Sequence, residues 1–143
     1  MAESIIVHFR SADRSAVAAA LGELASRVPQ DEETWYYPHE TAATLIVYPY
    51  NDLQTEYEAG DIARLQWLLG NFPTCSIGVE LRRSAGNRAA DDATTLVRGL
   101  LGKLDGIVDA TYSEMWTCRE IETGAAKQDG PFLSCYRCHE EPG

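Results

Sequence analysis

The sequence has 143 residues, of which 45% are hydrophobic and 24% are charged. This length and balance are typical of one globular domain and argue against a disordered chain. Twelve Lys and Arg residues stand against 22 Asp and Glu residues, which gives a formal net charge of -10. A field of that sign repels phosphate backbones and anionic membranes, so it disfavours nucleic acid and membrane surfaces as partners and favours a cationic protein or a cationic small molecule.

The N-terminal residues include no basic leader, and no stretch approaches the roughly 20 apolar residues that a membrane-spanning helix needs. We therefore expect a cytoplasmic protein. Its four cysteines are expected to be mostly reduced, because disulfides persist mainly in oxidising compartments.

The first half of the chain predicts one strand, a helix, a hairpin and a second helix. Alternating apolar residues over 4–10 predict the strand, and apolar residues at helical spacing predict a helix that ends before Pro29. Two runs rich in β-formers, 34–37 and 43–48, predict the hairpin. A second amphipathic stripe predicts a linking helix over 57–72.

The second half predicts a strand, a helix and a last strand. Residues 75–82 alternate with a period of two, as in a strand with one buried face. The next helix ends near residue 104, and Asp91 or Asp92 is the predicted cap. The run 107–118 predicts one long strand with a bend where its alternation changes phase.

Two of the predicted strands resemble each other. The segment from Ser4 to Arg10 shares Ser, Ile, Val and Arg positions with the segment from Ser76 to Arg82, and each segment is followed by a loop, a helix and another strand. This pattern indicates a diverged internal duplication.

The duplication defines the expected domain organisation. It predicts one globular domain over 1–121, with repeats at 4–50 and 75–119, and a C-terminal tail over 122–143. The expected fold class is α/β (α+β): a ferredoxin-like mixed sheet from two β-α-β(β) repeats, with the helices mainly on one face.

The tail contains a cysteine motif that several kinds of chemistry could explain. Cys135, Cys138 and His139 form the C-x-x-C-H pattern of covalent haem attachment, but that chemistry belongs mostly to exported proteins, so no cofactor is expected. With Cys118 these residues would supply four zinc ligands, although a second ligand pair at zinc-site spacing is missing. A reversible disulfide is a further alternative, and free thiols are the expected state.

One pair of residues suggests acid-base chemistry. His8 and Glu80 occupy equivalent positions in the two matching strands. If those strands are neighbours, the two side chains can meet and exchange a proton, although such pairs are more often structural contacts.

Aromatic and acidic residues cluster around the predicted hairpin. Rings surrounded by carboxylates suit an interface for a basic partner or a pocket for a cation, and the alternative is that about half of the rings fill the core. The candidate binding residues are Trp35, Tyr36, Tyr37, Glu32, Glu33, Glu40, Tyr48, Tyr50 and Asp52.

The sequence contains none of the common nucleotide-binding or hydrolase motifs, which favours a function without catalysis. We expect an inhibitor or immunity-type protein that binds a cationic protein partner, such as a basic toxin. The alternatives are a small-molecule-binding module with a cleft between the repeats, and a small enzyme that uses His8 and a nearby carboxylate.

Overall fold

The structure is a computed structural model that describes residues 3–27, 33–111, 114–127 and 130–133. The main strands are β1 (Glu3–Phe9), β2 (Ser26–Arg27), β3 (Trp35–Tyr37), β4 (Leu45–Pro49), β5 (Cys75–Leu81), β6 (Gly106–Thr111) and β7 (Glu114–Thr117). The helices are α1 (Arg14–Leu24), α2 (Leu53–Glu56), α3 (Ala59–Leu69), α4 (Asn87–Lys103) and α5 (Cys118–Glu122). Two short strands, β8 (Ala126–Lys127) and β9 (Gly130–Pro131), form a separate ribbon.

The seven main strands form one open sheet in the order β2-β3-β4-β5-β1-β6-β7. Every neighbouring pair in it is antiparallel, so the prediction of a mixed sheet is wrong. The reason is the way in which the strands interleave. β1 and β4 run in the same direction but are separated by β5, and β5 and β6 run in the same direction but are separated by β1.

One face of the sheet packs against α1 and α4 and holds the main core. Alternate strand residues point into it, and Ile5, Val7 and Phe9 of β1 are fully buried there. α4 presents a long apolar stripe with Leu96 and Leu100, also fully buried. Helix α1 begins at the N-cap Asp13, whose carboxylate accepts a bond of 2.9 Å from the amide of Ala16.

A smaller helical cover lies on part of the opposite face. Leu53 of α2 and Leu65 and Leu69 of α3 form a second apolar cluster with Ile107 and Met115 of the sheet. Arg10, at the end of β1, donates to the last carbonyls of α3 and pairs with Asp105. A guanidinium at a helix C-terminus complements the negative end of the helix dipole, so this contact fastens α3 to the sheet.

Several element boundaries differ from the sequence predictions. α1 ends at Leu24, although its apolar pattern continues toward Pro29, because Ser26 and Arg27 pair with β3 as the short strand β2. α4 begins at Asn87, so Asp92 lies inside the helix and accepts a bond of 2.6 Å from the buried Thr44 instead of capping it. The predicted strand over 107–118 is a hairpin of β6 and β7 with a register irregularity between Asp109 and Thr111.

The packed structure continues past residue 121. α5 has a capping box in which Thr117 and Glu120 exchange side-chain and backbone bonds. Phe132 and Leu133 are buried in the main core, and Lys127 lies 4.9 Å from the centre of the Trp116 ring. The expected tail over 122–143 therefore contributes to the core in its described part. Within the described residues, no helix has both the length and the apolar character needed to cross a membrane.

Candidate functional site

The sheet face that carries α2 and α3 also has a part where the described side chains are partly or fully exposed. The strand register places Tyr36, Ile46, Glu80 and Ser4 in one row across β3, β4, β5 and β1. The next row runs from Tyr48 over Gly78 and Ile6 to Asp109. We call this surface the open sheet face and define it by the partly or fully exposed side chains of Ser4, Ile6, Tyr36, Ile46, Tyr48 and Glu80.

Gly78 gives the open sheet face its shape. A Cβ atom added to Gly78 would lie 2.2 Å from the Tyr48 ring, so the ring lies flat across the strand at the position where a side chain is missing. Any larger residue at 78 would displace the ring. Gly78 therefore positions one of the two aromatic groups on this surface.

A buried polar cluster lies between the open sheet face and the α2–α3 cover. The Nδ1 atom of His8 lies 2.7 Å from the hydroxyl of Ser76, and its Nε2 atom lies 3.1 Å from the hydroxyl of Tyr57. The same Tyr57 hydroxyl donates to Asp109 Oδ2 in a short hydrogen bond. Three strands and the segment before α3 thus meet in one chain of bonds.

The single proton of the Tyr57 hydroxyl sets the direction of this chain. Because that proton goes to Asp109, the Tyr57 oxygen accepts from His8, which requires a proton on Nε2. In the neutral ring the other nitrogen is then free to accept from Ser76. The cluster is consistent with a neutral histidine.

Burial also shifts the pKa values of the cluster. It lowers the pKa of His8 from 6.5 to about 4, since the ring is fully buried. It raises the pKa of Asp109 from 3.8 to about 6, although the hydrogen bond from Tyr57 acts in the opposite direction. The pKa of Tyr57 is raised by burial and by the Asp109 charge. At neutral pH the cluster therefore holds a neutral imidazole and a carboxylate.

One atom of the cluster lacks a partner. Asp109 Oδ1 is buried and accepts no hydrogen bond among the described residues. Leaving a buried acceptor unpaired costs about 1–3 kcal/mol. Since His8 has no exposed surface and both of its nitrogens are bonded, this arrangement holds the helical cover on the sheet.

The structure does not bring His8 and Glu80 together, although β1 and β5 are neighbours. In the antiparallel register His8 pairs with Ser76, and Glu80 pairs with Ser4. The two side chains share a face but lie four positions apart, or about 13 Å at the usual rise of a strand. The sequence match identified the correct strands, and their antiparallel pairing separates the equivalent positions.

The predicted aromatic set divides between the two sheet faces. Tyr36, Tyr48 and Tyr50 lie on the side of the open sheet face, where the Tyr50 hydroxyl donates to Glu56 over 2.7 Å. Trp35 is 8% exposed and belongs to the main core, and Tyr37 packs against the same core. The alternation of a strand explains this division.

The predicted acidic residues are spread around the hairpin. Glu33 forms an ion pair of 2.8 Å with Arg14, and Asp52 is exposed at the start of α2. Glu40 lies in a short 3₁₀ turn over 40–42. Glu32 lies outside the described residues.

A cleft of about 250 Å³ lies on the other face of the sheet, beneath α1. Its apolar lining includes Val17 and Leu21 of α1 and Trp35 and Ile77 of the sheet, all buried. We call it the α1 cleft. Further lining residues are Arg14, Ser15, Ala18, Glu33, Val47, Tyr48, Pro49 and Cys75.

One of the four predicted metal ligands lies within the described residues. Cys118 lies in α5, where its thiol contacts Glu122 at 3.5 Å, and Cys135, Cys138 and His139 lie outside the described residues. The part of the chain that the structure describes holds no group of three or more potential metal ligands.

The polar cluster includes three residues that the sequence reasoning missed. Ser76, Tyr57 and Asp109 follow no motif, and only the alternation of their strands signals that Ser76 and Asp109 share a face with His8.

Comparisons of the chain with protein-family models, with curated proteins and with solved structures found no match.

Proposed function

We propose that this protein is an acidic binding protein that docks a cationic protein partner on the open sheet face. The observation that carries the proposal is the composition of that surface. Two tyrosine rings and two isoleucines stand beside Glu80 on a half-exposed strand surface, in a chain with a net charge of -10.

The surface has the two components that protein interfaces use. Tyr36 and Tyr48 are rigid aromatic groups that gain contact area at a low cost in conformational entropy. Glu80 lies in the same row as Tyr36 and is available to a Lys or Arg side chain of the partner. The overall negative field speeds the encounter with a cationic partner and rejects acidic ones.

An inhibitory function of the immunity type follows from the same chemistry. Proteins that bind basic enzymes or toxins must neutralise positive charge quickly and hold the complex with aromatic contacts. The open sheet face supports that function better than the main-core residues Trp35 and Tyr37, whose replacement would disturb folding.

The proposal is tested with a double variant, Tyr36→Ala with Tyr48→Ala. We expect the wild-type protein, immobilised and exposed to its native lysate, to retain a basic protein at about 50 mM NaCl and to release most of it at about 300 mM, because exposed charges are screened. The double variant should lose the same protein by a factor of about ten or more.

The matched control is Trp67→Ala, which removes an aromatic side chain that is 80% exposed on α3. This variant should retain the partner as the wild type does. Retention by the double variant, or equal losses from both variants, would contradict the proposal. Capture of a partner that is not basic and that stays bound at high salt would also contradict the proposal.

The structure gives less support to an enzyme that uses His8. The imidazole is fully buried, its pKa is lowered to about 4, and Glu80 lies at a distant position of the neighbouring strand. The small-molecule alternative has one supporting observation, namely the α1 cleft between repeat one and β5.

We also propose that the fold is ferredoxin-like and arose by duplication. The interleaved order β4-β5-β1-β6 supports the first part, because it consists of two split β-α-β units. The β1–β5 register supports the second part: a twofold axis between Ile6 and Gly78 relates Ser4 to Ser76 and Ile5 to Ile77. The same axis relates the β5–β4 pairing to the β1–β6 pairing.

A further inference from the structure

The α1 cleft carries an inference that does not depend on the open sheet face, because the core side of the sheet forms its floor. The cleft has an apolar interior and a charged mouth. Its volume of about 250 Å³ is slightly below the roughly 300–1,000 Å³ that is usual for small-molecule sites, so the cleft suits a small ligand.

The interior of the cleft carries no charge. Val17, Leu21 and Ile77 are 4% exposed or less, and the Trp35 indole closes one side. Cys75 completes the wall with a thiol whose pKa is raised, chiefly by burial, so it remains neutral at physiological pH. A ligand must therefore present an apolar group to this floor.

The mouth of the cleft presents one charge of each sign. Arg14 of α1 and Glu33, just before β3, pair at 2.8 Å, and their side chains are 63% and 53% exposed. Exposed pairs of this kind contribute little to stability, so a ligand can separate them at low cost. The two charges then match a ligand with a carboxylate and an ammonium group on neighbouring atoms.

We infer that the α1 cleft is a binding site for a free apolar α-amino acid. The carboxylate pairs with the Arg14 guanidinium, whose planar fork suits bidentate contact. The ammonium pairs with Glu33, and the side chain enters the space between Leu21, Trp35 and Ile77. A ligand with a single charge forms only one of these two ion pairs.

The test uses L-phenylalanine as the probe and the full chain labelled with ¹⁵N. Amide signals of Ser15, Ala18 and Ile77 should shift with saturation in a titration, and signals of Ser4, Ile6, Tyr36 and Glu80 on the open sheet face should not. Phenylacetate and phenethylamine, which each lack one charge, should bind more weakly by about tenfold or more. The dipeptides Phe-Gly and Gly-Phe distinguish a free amino acid from the end of a peptide.

Three variants connect the binding to the cleft. Ala18→Phe fills the cleft from an exposed helix position and should abolish the shifts, whereas Ala19→Phe, exposed on the same helix but outside the lining, should leave them unchanged. Arg14→Gln keeps the cleft open and should weaken binding by about tenfold or more. It therefore tests the site even if Ala18→Phe does not fold.

The inference fails if L-phenylalanine leaves the cleft signals unmoved, or if the singly charged probes bind as tightly. It also fails if Arg14→Gln has no effect or if either dipeptide binds as tightly as the free amino acid. None of these results affects the docking proposal, whose measurement is the retention of a basic protein partner.

Discussion

His8 and Asp109 belong to one hydrogen-bonded cluster but respond to pH in opposite directions. The lowered pKa of His8 means that its contribution to stability is complete above pH 6.5 and is lost as the pH falls to about 4. The raised pKa of Asp109 means that its contribution is complete below pH 3.8 and is lost as the pH rises to about 6. Between pH about 4 and about 6 the two effects oppose each other.

Separate variants should reveal the two effects. Asp109→Asn leaves the His8 effect alone, so its free energy of unfolding should fall more steeply than that of the wild type on acidification, by up to about 1.4 kcal/mol per pH unit. His8→Gln should show the reverse difference. Urea unfolding at pH about 7 and about 4.5, followed by circular dichroism, measures both. Parallel pH profiles for the wild type and both variants would show that the cluster does not titrate in this way.

At the scale of single residues, the sequence predicted which side chains share a sheet face but not which of them are in contact. The alternation over 4–10 places His8 opposite the apolar positions of its strand. Its partner Tyr57 is 49 positions away, at the first residue of the predicted linking helix. Contacts between such distant residues depend on tertiary packing, which carries no local sequence signal.

Close packing between β1 and β6 depends on one glycine. A Cβ atom at Gly106 would lie 2.2 Å from the His8 carbonyl oxygen, and this backbone atom cannot move away without shifting β1. We expect Gly106→Ala to lower the free energy of unfolding by about 1–3 kcal/mol.

The matched control lies four residues earlier in the chain. An added Cβ at Gly102 in α4 meets nothing within 4 Å, so Gly102→Ala should stabilise the protein by up to about 1 kcal/mol. Urea unfolding of both variants tests the pair. A neutral or stabilising Gly106→Ala would mean that β1 and β6 do not approach as closely as described.

Periodicity in the sequence predicted where most of the main elements lie, namely β1, β3, β4, β5 and α3. The residues at which elements end depend also on contacts with neighbouring elements. Gly70 ends α3 in a left-handed conformation, close to the predicted end of that helix. α1 is shorter than its apolar pattern because β3 recruits Ser26 and Arg27 as an extra edge strand. That pairing is a tertiary effect, and it overrides local helical preference.

At the scale of the whole molecule, the two matching segments of the sequence indicated neighbouring central strands but not their relative direction. The order strand-helix-strand along the chain suggests parallel neighbours, yet β5 lies between β1 and β4, and β1 lies between β5 and β6. The sequence also did not predict the core positions near the end of the described residues. Phe132 and Leu133 follow a stretch without periodicity, and only the folded structure places them against the core.

The net charge of -10 makes a last prediction about the folded molecule as a whole. The described ion pairs, such as Lys103 with Glu23, are mostly exposed and contribute little, so repulsion among the acidic groups is the larger electrostatic effect. Raising NaCl from about 10 mM to about 300 mM shortens the Debye length from about 30 Å to less than 10 Å and screens this repulsion. The urea midpoint of the wild type should therefore rise with salt.

The variant Glu122→Lys, at the exposed end of α5, reduces the magnitude of the net charge from -10 to -8 (-10 plus 2). Its urea midpoint should therefore rise less with salt than that of the wild type. A urea midpoint that falls with salt would show that attractive ion pairs dominate and that repulsion among the acidic groups does not destabilise the folded protein.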